Sequence, residues 1–581
     1  MKIPKFDYNG KSFGEMIRDV EKAGALGHFK DFDSLRCDLS LDGYGFFSTR
    51  VFWNVAGVDQ EPLFVKYLGE NKTINNIEDS QRYIKPILDN LTTEIMTIIQ
   101  TANTDLIIKK LLYLLDKTSI FYYTDRITRE KITTNITLGD SSIPFEENRN
   151  ITISIINALN IFIENTIVFQ KTGNKVDVSE EELFDGDLLI KIFLYGLLSQ
   201  YYTLLNLSKN AMRNYQYCSG IVINCSDSFP INGIVHHPPI YTSTLISGNQ
   251  NALMAKGDNE YFKNIDSTVI GNAFVNTYGI SFLQLIACLQ ILEKYCEDGC
   301  LLTKKDDLNT FLTKNIKGLK PDLFIHNFSV NKCNLSCYIT KRELFIYKMG
   351  CNKYRLDIRP LIMLDNDWIY IPKTAIKRAK NIWASYATNG GKPYTDVGEG
   401  QGDIIIDAFG KREEELGEIL IQHLLKILEN HYPNSKYKDY DVKYYRIFGR
   451  KDGHSDTEDF DIVYYVNDEL FLIESKYFSD SPTPNQAVGD FNKMYKDGKY
   501  YEHCRSRYDL VLSEPEKLKT FLNTNEPIRA HLLFVSSKPL EIDFQDIDGV
   551  VTFLSVANFA NYLLGKLEAE DGSVLRPTHM L

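Results

Sequence analysis

Two neighbouring apolar runs, Phe460–Val466 and Leu470–Phe478, constrain this chain more than any other feature. Both are rich in β-branched and aromatic residues and the gap between them is short, so they read as a β-hairpin. Ile462, Val463, Tyr464 and Tyr465 run against Leu470, Phe471, Leu472 and Ile473. A strand with one wet face alternates apolar and polar residues, whereas these are apolar on both faces, as in a hairpin covered from both sides. Three ionisable residues interrupt the pattern: Asp461, Glu474 and Lys476. Glu474 and Lys476 are two apart and leave the same face of the sheet. If Val466 pairs with Phe471, Asp461 lies opposite Lys476 and the three converge. A slip of one residue would send Asp461 to the other face. Charge in such surroundings is costly unless its desolvation is offset. A divalent cation held by Asp461 and Glu474 would offset it. Mg²⁺, or Mn²⁺ in its place, suits hard oxygen donors that also meet phosphate.

The flanking sequence alternates helix and strand. A helix is expected at Lys411–Glu429, a strand at Val442–Phe448, a helix around Gln486–Tyr501 and a strand at Ala530–Ser536. A strand and helix close the segment over Gly549–Leu567. This rhythm is that of an α/β or α+β domain. Asp461, a gap of twelve residues, and Glu474-Ser475-Lys476 at the end of the next strand resemble the PD-(D/E)xK nuclease superfamily, the restriction-endonuclease-like fold. Gly417-Glu418, just before Ile419-Leu420-Ile421, looks like that family's first-helix glutamate. Gln486 lies where some members carry a glutamine after the catalytic strand. Phe460 replaces the usual proline before the aspartate, and Ser475 stands where an apolar residue is commoner.

The resemblance spans roughly residues 405–565 and implies a mixed sheet flanked by helices. It implies catalytic roles for Asp461, Glu474, Lys476 and Gln486. It also implies metal binding by Asp461, Glu474, the Ser475 carbonyl and Glu418. The chemistry implied is metal-dependent phosphodiester hydrolysis, as in a DNA endonuclease of a bacterial restriction or anti-phage defence system. Two alternatives stay open: a nuclease fold that binds DNA or a partner protein without turnover, and a nuclease of DNA repair or transposition.

The chain carries 65 Lys and Arg against 77 Asp and Glu, a net charge of −12, so it does not coat nucleic acid through overall charge. A local basic surface is needed, and the sequence offers two windows. Between Lys436 and Lys451, six basic residues oppose only Asp439 and Asp441, and Tyr437, Tyr440, Tyr444 and Tyr445 interleave with them. The second window runs from Lys493 to Arg507. Lys443, Arg446, Arg450, Lys451 and Lys493 are the candidate phosphate contacts. DNA is expected as the partner ahead of RNA. A homodimer would suit cleavage of both strands, and a defence nuclease would also answer to an activating partner.

The chain ahead of this segment resembles no family. Phe46–Gly57 and Leu63–Leu68 read as strands, and residues 77–207 as helices, ending in the apolar Asp187–Leu207. Gly220–Cys225 reads as a strand, 226–266 as a loop, Ile280–Tyr295 as a helix and Thr374–Ala387 as an amphipathic helix. Leu323–Phe328, Leu335–Thr340 and Glu343–Met349 suggest a small antiparallel sheet. The glycines and proline from Asn389 to Gly402 are the strongest punctuation, which divides the chain into a helix-rich region 1–210, a mixed region 211–395 continuous with it or separate, and a nuclease-like domain 400–581. The N-terminus lacks a signal-peptide core and no run reaches the 20 or so apolar residues of a bilayer span, so a cytoplasmic protein with no membrane partner is expected. Cys296-x3-Cys300 and Cys333-x3-Cys337 have zinc-like spacing, but buried free thiols are the preferred reading. His236-His237 belongs to turn chemistry.

Overall fold

The computed structural model describes residues 58–133, 143–169, 176–210, 218–234 (except 228), 259–296, 299–339, 355–390 (except 365–366), 404–449, 459–479, 500–537, 549–567 and 573–581, with Trp53, Lys493 and Met494 besides. The chain is a mixed α/β protein. Its helices begin with α1 (Gln60–Leu68), α2 (Ile77–Thr101), α3 (Thr104–Thr133), α4 (Ile143–Phe169) and α5 (Gly186–Asn210). Helix α2 shows why they form. The Asn76 side chain caps it by accepting from the Asp79 amide at 2.7 Å, and Ile84, Leu88, Leu91, Ile95 and Ile99 make one buried stripe. These helices share one core, into which Val330, Leu335, Leu356, Ile362 and Tyr370 also pack, so that core draws on both sides of residue 210. Helix α5 is the one described helix long and apolar enough to cross a membrane by length and composition. Its apolar residues from Leu188 to Leu198 pack in this core.

The short strands β1 (Lys72–Ile74), β2 (Gly220–Ile223) and β3 (Ile231–Ile234) form an antiparallel sheet against these helices. A second core gathers around α6 (Val269–Tyr278), α7 (Phe282–Tyr295) and α8 (Lys373–Asn389). Its sheet contains β4 (Cys300–Lys304), β5 (Ser329–Asn331), β6 (Leu361–Met363) and β7 (Trp368–Pro372), in the order β4-β7-β6-β5.

Several upstream segments expected to be strands are helical. Leu63–Leu68 lies in α1, where Phe64, Tyr67 and Leu68 are buried at the i, i+3, i+4 spacing of a helix stripe. Leu323–Phe328 lies mostly in a helix that Pro321 opens at its first turn. Leu335–Ile339 lies in a helix that starts where Asn331 and Asn334 bond each other's amides at 2.9 and 3.0 Å. Short apolar runs do not distinguish a strand from a buried helical turn. The expected strand Glu343–Met349 and most of Phe46–Gly57 lie outside the described residues. Within 226–266, Asn259–Lys263 is helical besides β3, and residues 235–258 are not among those described.

Helix α9 (Ile404–His431) belongs to two cores. Ile405, Ala408 and Phe409 pack in the second core, whereas Leu420, Leu424 and Leu428 pack against the C-terminal sheet. That sheet contains β8 (Tyr437–Lys443), β9 (Asp459–Val466), β10 (Glu469–Lys476), β11 (Arg529–Ser536) and β12 (Thr552–Ser555), in the order β12-β11-β10-β9-β8. A sixth strand, β13 (His579–Met580), pairs with the start of β11. Strands β8, β9 and β10 are antiparallel neighbours, and β10, β11 and β12 run parallel. Short helix α10 (Tyr444–Phe448) follows β8 directly, so the expected strand Val442–Phe448 ends at Lys443. Tyr444, Ile447 and Phe448 again bury themselves at helix spacing, and Gly449 closes the turn with φ 66. Helix α11 (Tyr500–Ser513) covers one face of the sheet through Cys504, Tyr508 and Val511. Helices α9 and α12 (Val556–Leu563) cover the other, against Ile462, Tyr464, Phe471 and Ile473. The helix expected around Gln486–Tyr501 overlaps α11 only at its end. Most of residues 486–499 lie outside the described set.

Candidate active site

The hairpin turn sets the geometry. It is tighter than expected: Val466 pairs with Glu469 across Asn467-Asp468, with Asn467 in the left-handed region at φ 54. The register is therefore displaced by two residues from the Val466–Phe471 pairing. Ile473 pairs with Ile462 at the end of the ladder, and that register, carried one position further, would set Asp461 opposite Glu474 rather than Lys476. A displacement of two preserves the faces, and the group still assembles. Lys476 Nζ lies 3.1 Å from Glu474 Oε1 and 4.0 Å from Asp461 Oδ2. Asp461 and Glu474 are 7% and 4% exposed, while the Lys476 side chain keeps 28% of its surface. The site is thus two buried carboxylates beneath a partly exposed ammonium.

Asp461 sits at an irregularity in the sheet. The β8–β9 pairing passes from Tyr440–Ile462 to Val442–Phe460 without pairing Asp441 to Asp461, and Asp441 has φ 51. Phe460 packs with the α11 layer and Ile462 with the α9 layer, although strand residues two apart normally share a face. The strand therefore rotates at Asp461. Its carboxylate reaches the neighbouring strand end, where Oδ2 accepts from the Ser475 amide at 2.6 Å and the Ser475 hydroxyl at 2.9 Å. Burial, reinforced by Glu474, pushes the Asp461 pKa up to about 7, against the opposing pull of Lys476 and Ser475. Burial works against the charge of Lys476, but Glu474 and Asp461 outweigh it and its pKa is raised.

A fourth member was not among the site residues expected from sequence. Arg507, on α11, donates from Nη1 to Glu474 Oε2 and to the Asp459 carbonyl, the latter at 2.9 Å. Its guanidinium carbon lies 5.7 Å from the centre of the Tyr444 ring. In sequence Arg507 belongs to a basic window assigned to phosphate contact, yet it is only 9% exposed and points inward. The signal for that was present: Cys504, Tyr508 and Val511 make an apolar helix stripe, and Arg507 lies on it.

The remaining expected residues are dispersed. Glu418 is exposed on α9, where its charge acts on Asp441 together with Asp459 and Asp439. It does not join Asp461 and Glu474: among the described residues no three His, Cys, Asp or Glu side chains are grouped to hold a metal. The same statement applies to the zinc-like cysteine pairs; Cys296 is buried as expected, Cys300 and Cys333 are exposed, and the Cys337 side chain is not among those described. Gln486, Arg450, Lys451 and His236-His237 also lie outside the described residues. Lys443 pairs with Asp459, and Arg446 lies 3.4 Å from Asp439. Both bases thus have acidic neighbours within the domain. Lys493 is exposed.

The donor set fits a hard divalent cation in its chemistry. Two adjacent buried carboxylates repel each other, and among the described residues every hydrogen bond to Asp461 lands on Oδ2. Asp461 and Glu474 would hold the ion, with water and substrate oxygens completing its shell. Both Glu474 oxygens, however, already face cations in Lys476 and Arg507. No protein-family profile, curated protein or solved structure matches the chain.

Proposed function

We propose that the C-terminal domain is a metal-dependent nuclease of the PD-(D/E)xK kind, with DNA as its substrate. The observation that carries this reading is the meeting of Asp461, Glu474 and Lys476, within 3.1 and 4.0 Å contacts, at the end of an otherwise apolar hairpin. The element order supports it: helix α9, the antiparallel strands β8, β9 and β10, helix α11, and a parallel β11. A bound Mg²⁺ or Mn²⁺ would supply an activated water and charge stabilisation at phosphate. Asp461 and Glu474 would position the ion. Lys476, the member with solvent access, would orient the attacking water or stabilise charge building on the phosphate. The residues before 400 would recognise the target or a trigger, as expected of a restriction or defence protein.

The direct test is cleavage of supercoiled plasmid by the full chain in Mg²⁺, Mn²⁺ or EDTA, comparing wild type with Glu474→Ala. Nicked or linear product that requires both the metal and Glu474 is expected. Equal product from Glu474→Ala, or in EDTA, would contradict the assignment. A second reading, a nuclease fold that binds DNA without cutting it, is favoured by one observation: Lys476 and Arg507 already balance the two carboxylates in charge. Tight binding without metal-dependent cleavage would select it.

A further inference from the structure

We propose that Arg507 is the resident counter-ion of Glu474, and that a divalent cation binds the Asp461–Glu474 pair by displacing it. The inference rests on the metal-dependent reading above and deepens it by naming what controls metal entry. Asp461 and Glu474 bring two negative charges, and Lys476 and Arg507 two positive ones. With both carboxylates ionised the cluster is neutral. Adding a dication to that balance would leave a net +2 beside two buried carboxylates and a buried guanidinium, where unpaired charge is poorly solvated. Withdrawal of one resident cation halves that excess. Lys476 already reaches solvent, with 28% of its side chain exposed, and it touches the opposite carboxylate oxygen. Arg507 holds Glu474 Oε2, the oxygen facing α11.

The helix that carries Arg507 is fixed, so its side chain is what moves. Tyr508, the next residue, donates its hydroxyl proton between the Leu472 carbonyl of β10 at 3.0 Å and the Leu533 carbonyl of β11 at 2.5 Å. Cys504 and Val511 are fully buried on either side. The guanidinium itself is less completely held: Nη1 carries both of its hydrogen bonds, and the buried Nε has no hydrogen-bond partner. On losing Glu474 it would keep the Asp459 carbonyl and the Tyr444 face. Arg507 thus keeps the carboxylate pair ordered without metal and opposes metal binding by direct competition. Arg507 is a positioning residue in this scheme, not a catalytic one.

The test is Mn²⁺ titration of the full chain, read by the electron paramagnetic resonance signal of the free ion, with thermal melting in EDTA and in Mn²⁺. Wild type, Arg507→Gln, Arg507→Lys and Glu474→Gln are compared. Arg507→Gln should bind Mn²⁺ about tenfold more tightly or better, because it removes one close opposing charge. It should melt lower than wild type in EDTA and regain more of that loss with Mn²⁺ than wild type gains. Arg507→Lys, which keeps the charge but cannot span Glu474 and the Asp459 carbonyl together, should fall between them. It carries the test if Arg507→Gln does not fold in EDTA. Glu474-dependent binding that is unchanged or weaker in the Arg507 variants would overturn this inference alone. Absence of Glu474-dependent binding in every variant would overturn the metal reading on which it rests.

Discussion

Between α4, the segment 355–359 and α8, the side chains of Glu164, Arg355, Asp357 and Arg378 meet in the helical part of the chain. At the end of β9 and β10, Asp461, Glu474, Lys476 and Arg507 meet in the sheet. Each group pairs two acids with two bases, and in each burial drives one carboxyl up to about 7: Glu164 in the first and Asp461 in the second. Their surroundings differ. Glu164 is fully buried; Oε1 accepts from the Leu356 amide at 2.9 Å, and Oε2 has no hydrogen-bond partner. Asp357 bonds Asn160 of α4 at 2.7 Å and lies 2.6 Å from Arg378 of α8. That cluster joins segments distant in sequence, and its partly exposed member, Arg378, is an arginine of α8 tied to Asp357. The second cluster stands on two paired strands, and its lysine emerges to solvent. A buried charge cluster is therefore not in itself a site. What distinguishes the second cluster is its scaffold: two paired strands carry both carboxylates and the lysine together.

The largest effect is expected at Glu474. Glu474→Ala should abolish metal binding and lower plasmid cleavage by at least about 10²–10³, the range for losing one preorganised electrostatic group. In the other cluster, Arg355→Met should leave Glu164 without its nearest cation and cost about 3–5 kcal/mol, as removing one partner of a buried pair does. Denaturant melts should show that loss, while cleavage per folded molecule stays unchanged; a fall in cleavage would mean that the two clusters are coupled. A smaller effect is expected with pH. Because the folded pKa of Glu164 is raised, from 4.5 to about 7, the native state binds the proton more tightly than the unfolded chain. Its contribution to stability is complete below the unfolded value and declines as pH rises through about 7. Glu164→Gln should flatten the stability profile across that window, and an unaltered slope would show that Glu164 does not titrate there.

The second cluster was largely legible in the sequence because its three principal members lie on two strands joined by a short turn. Period-two alternation placed Glu474 and Lys476 on one face, and a two-residue error in the turn changed the pairing without changing the faces. Arg507 was harder. It lies beyond a segment whose helix was expected to end at Tyr501, whereas α11 begins at Tyr500 and turns Arg507 inward alongside Tyr508. The first cluster was out of reach. Ile155, Leu159, Ile163 and Ile167 show the helix spacing of α4, but nothing in that pattern signals that Glu164 shares their buried side. Its partner Arg355 is brought there by tertiary packing, which a local pattern does not encode. The strands misassigned upstream failed for a related reason, since their apolar runs were too short for period to decide.

The most direct measurement is made on Lys476, the one member of the second cluster that is neither a carboxylate ligand nor enclosed. Lys476→Ala should fold and bind Mn²⁺ at least as tightly as wild type, since Asp461 and Glu474 remain and lose a competing cation. Its cleavage of plasmid under saturating metal should fall by about 10²–10³. Retained metal binding with lost cleavage is the result predicted for a catalytic lysine above a carboxylate pair. If wild type cuts DNA and Lys476→Ala cuts it equally well, the active site lies elsewhere and this cluster, like the one around Glu164, only holds the fold together.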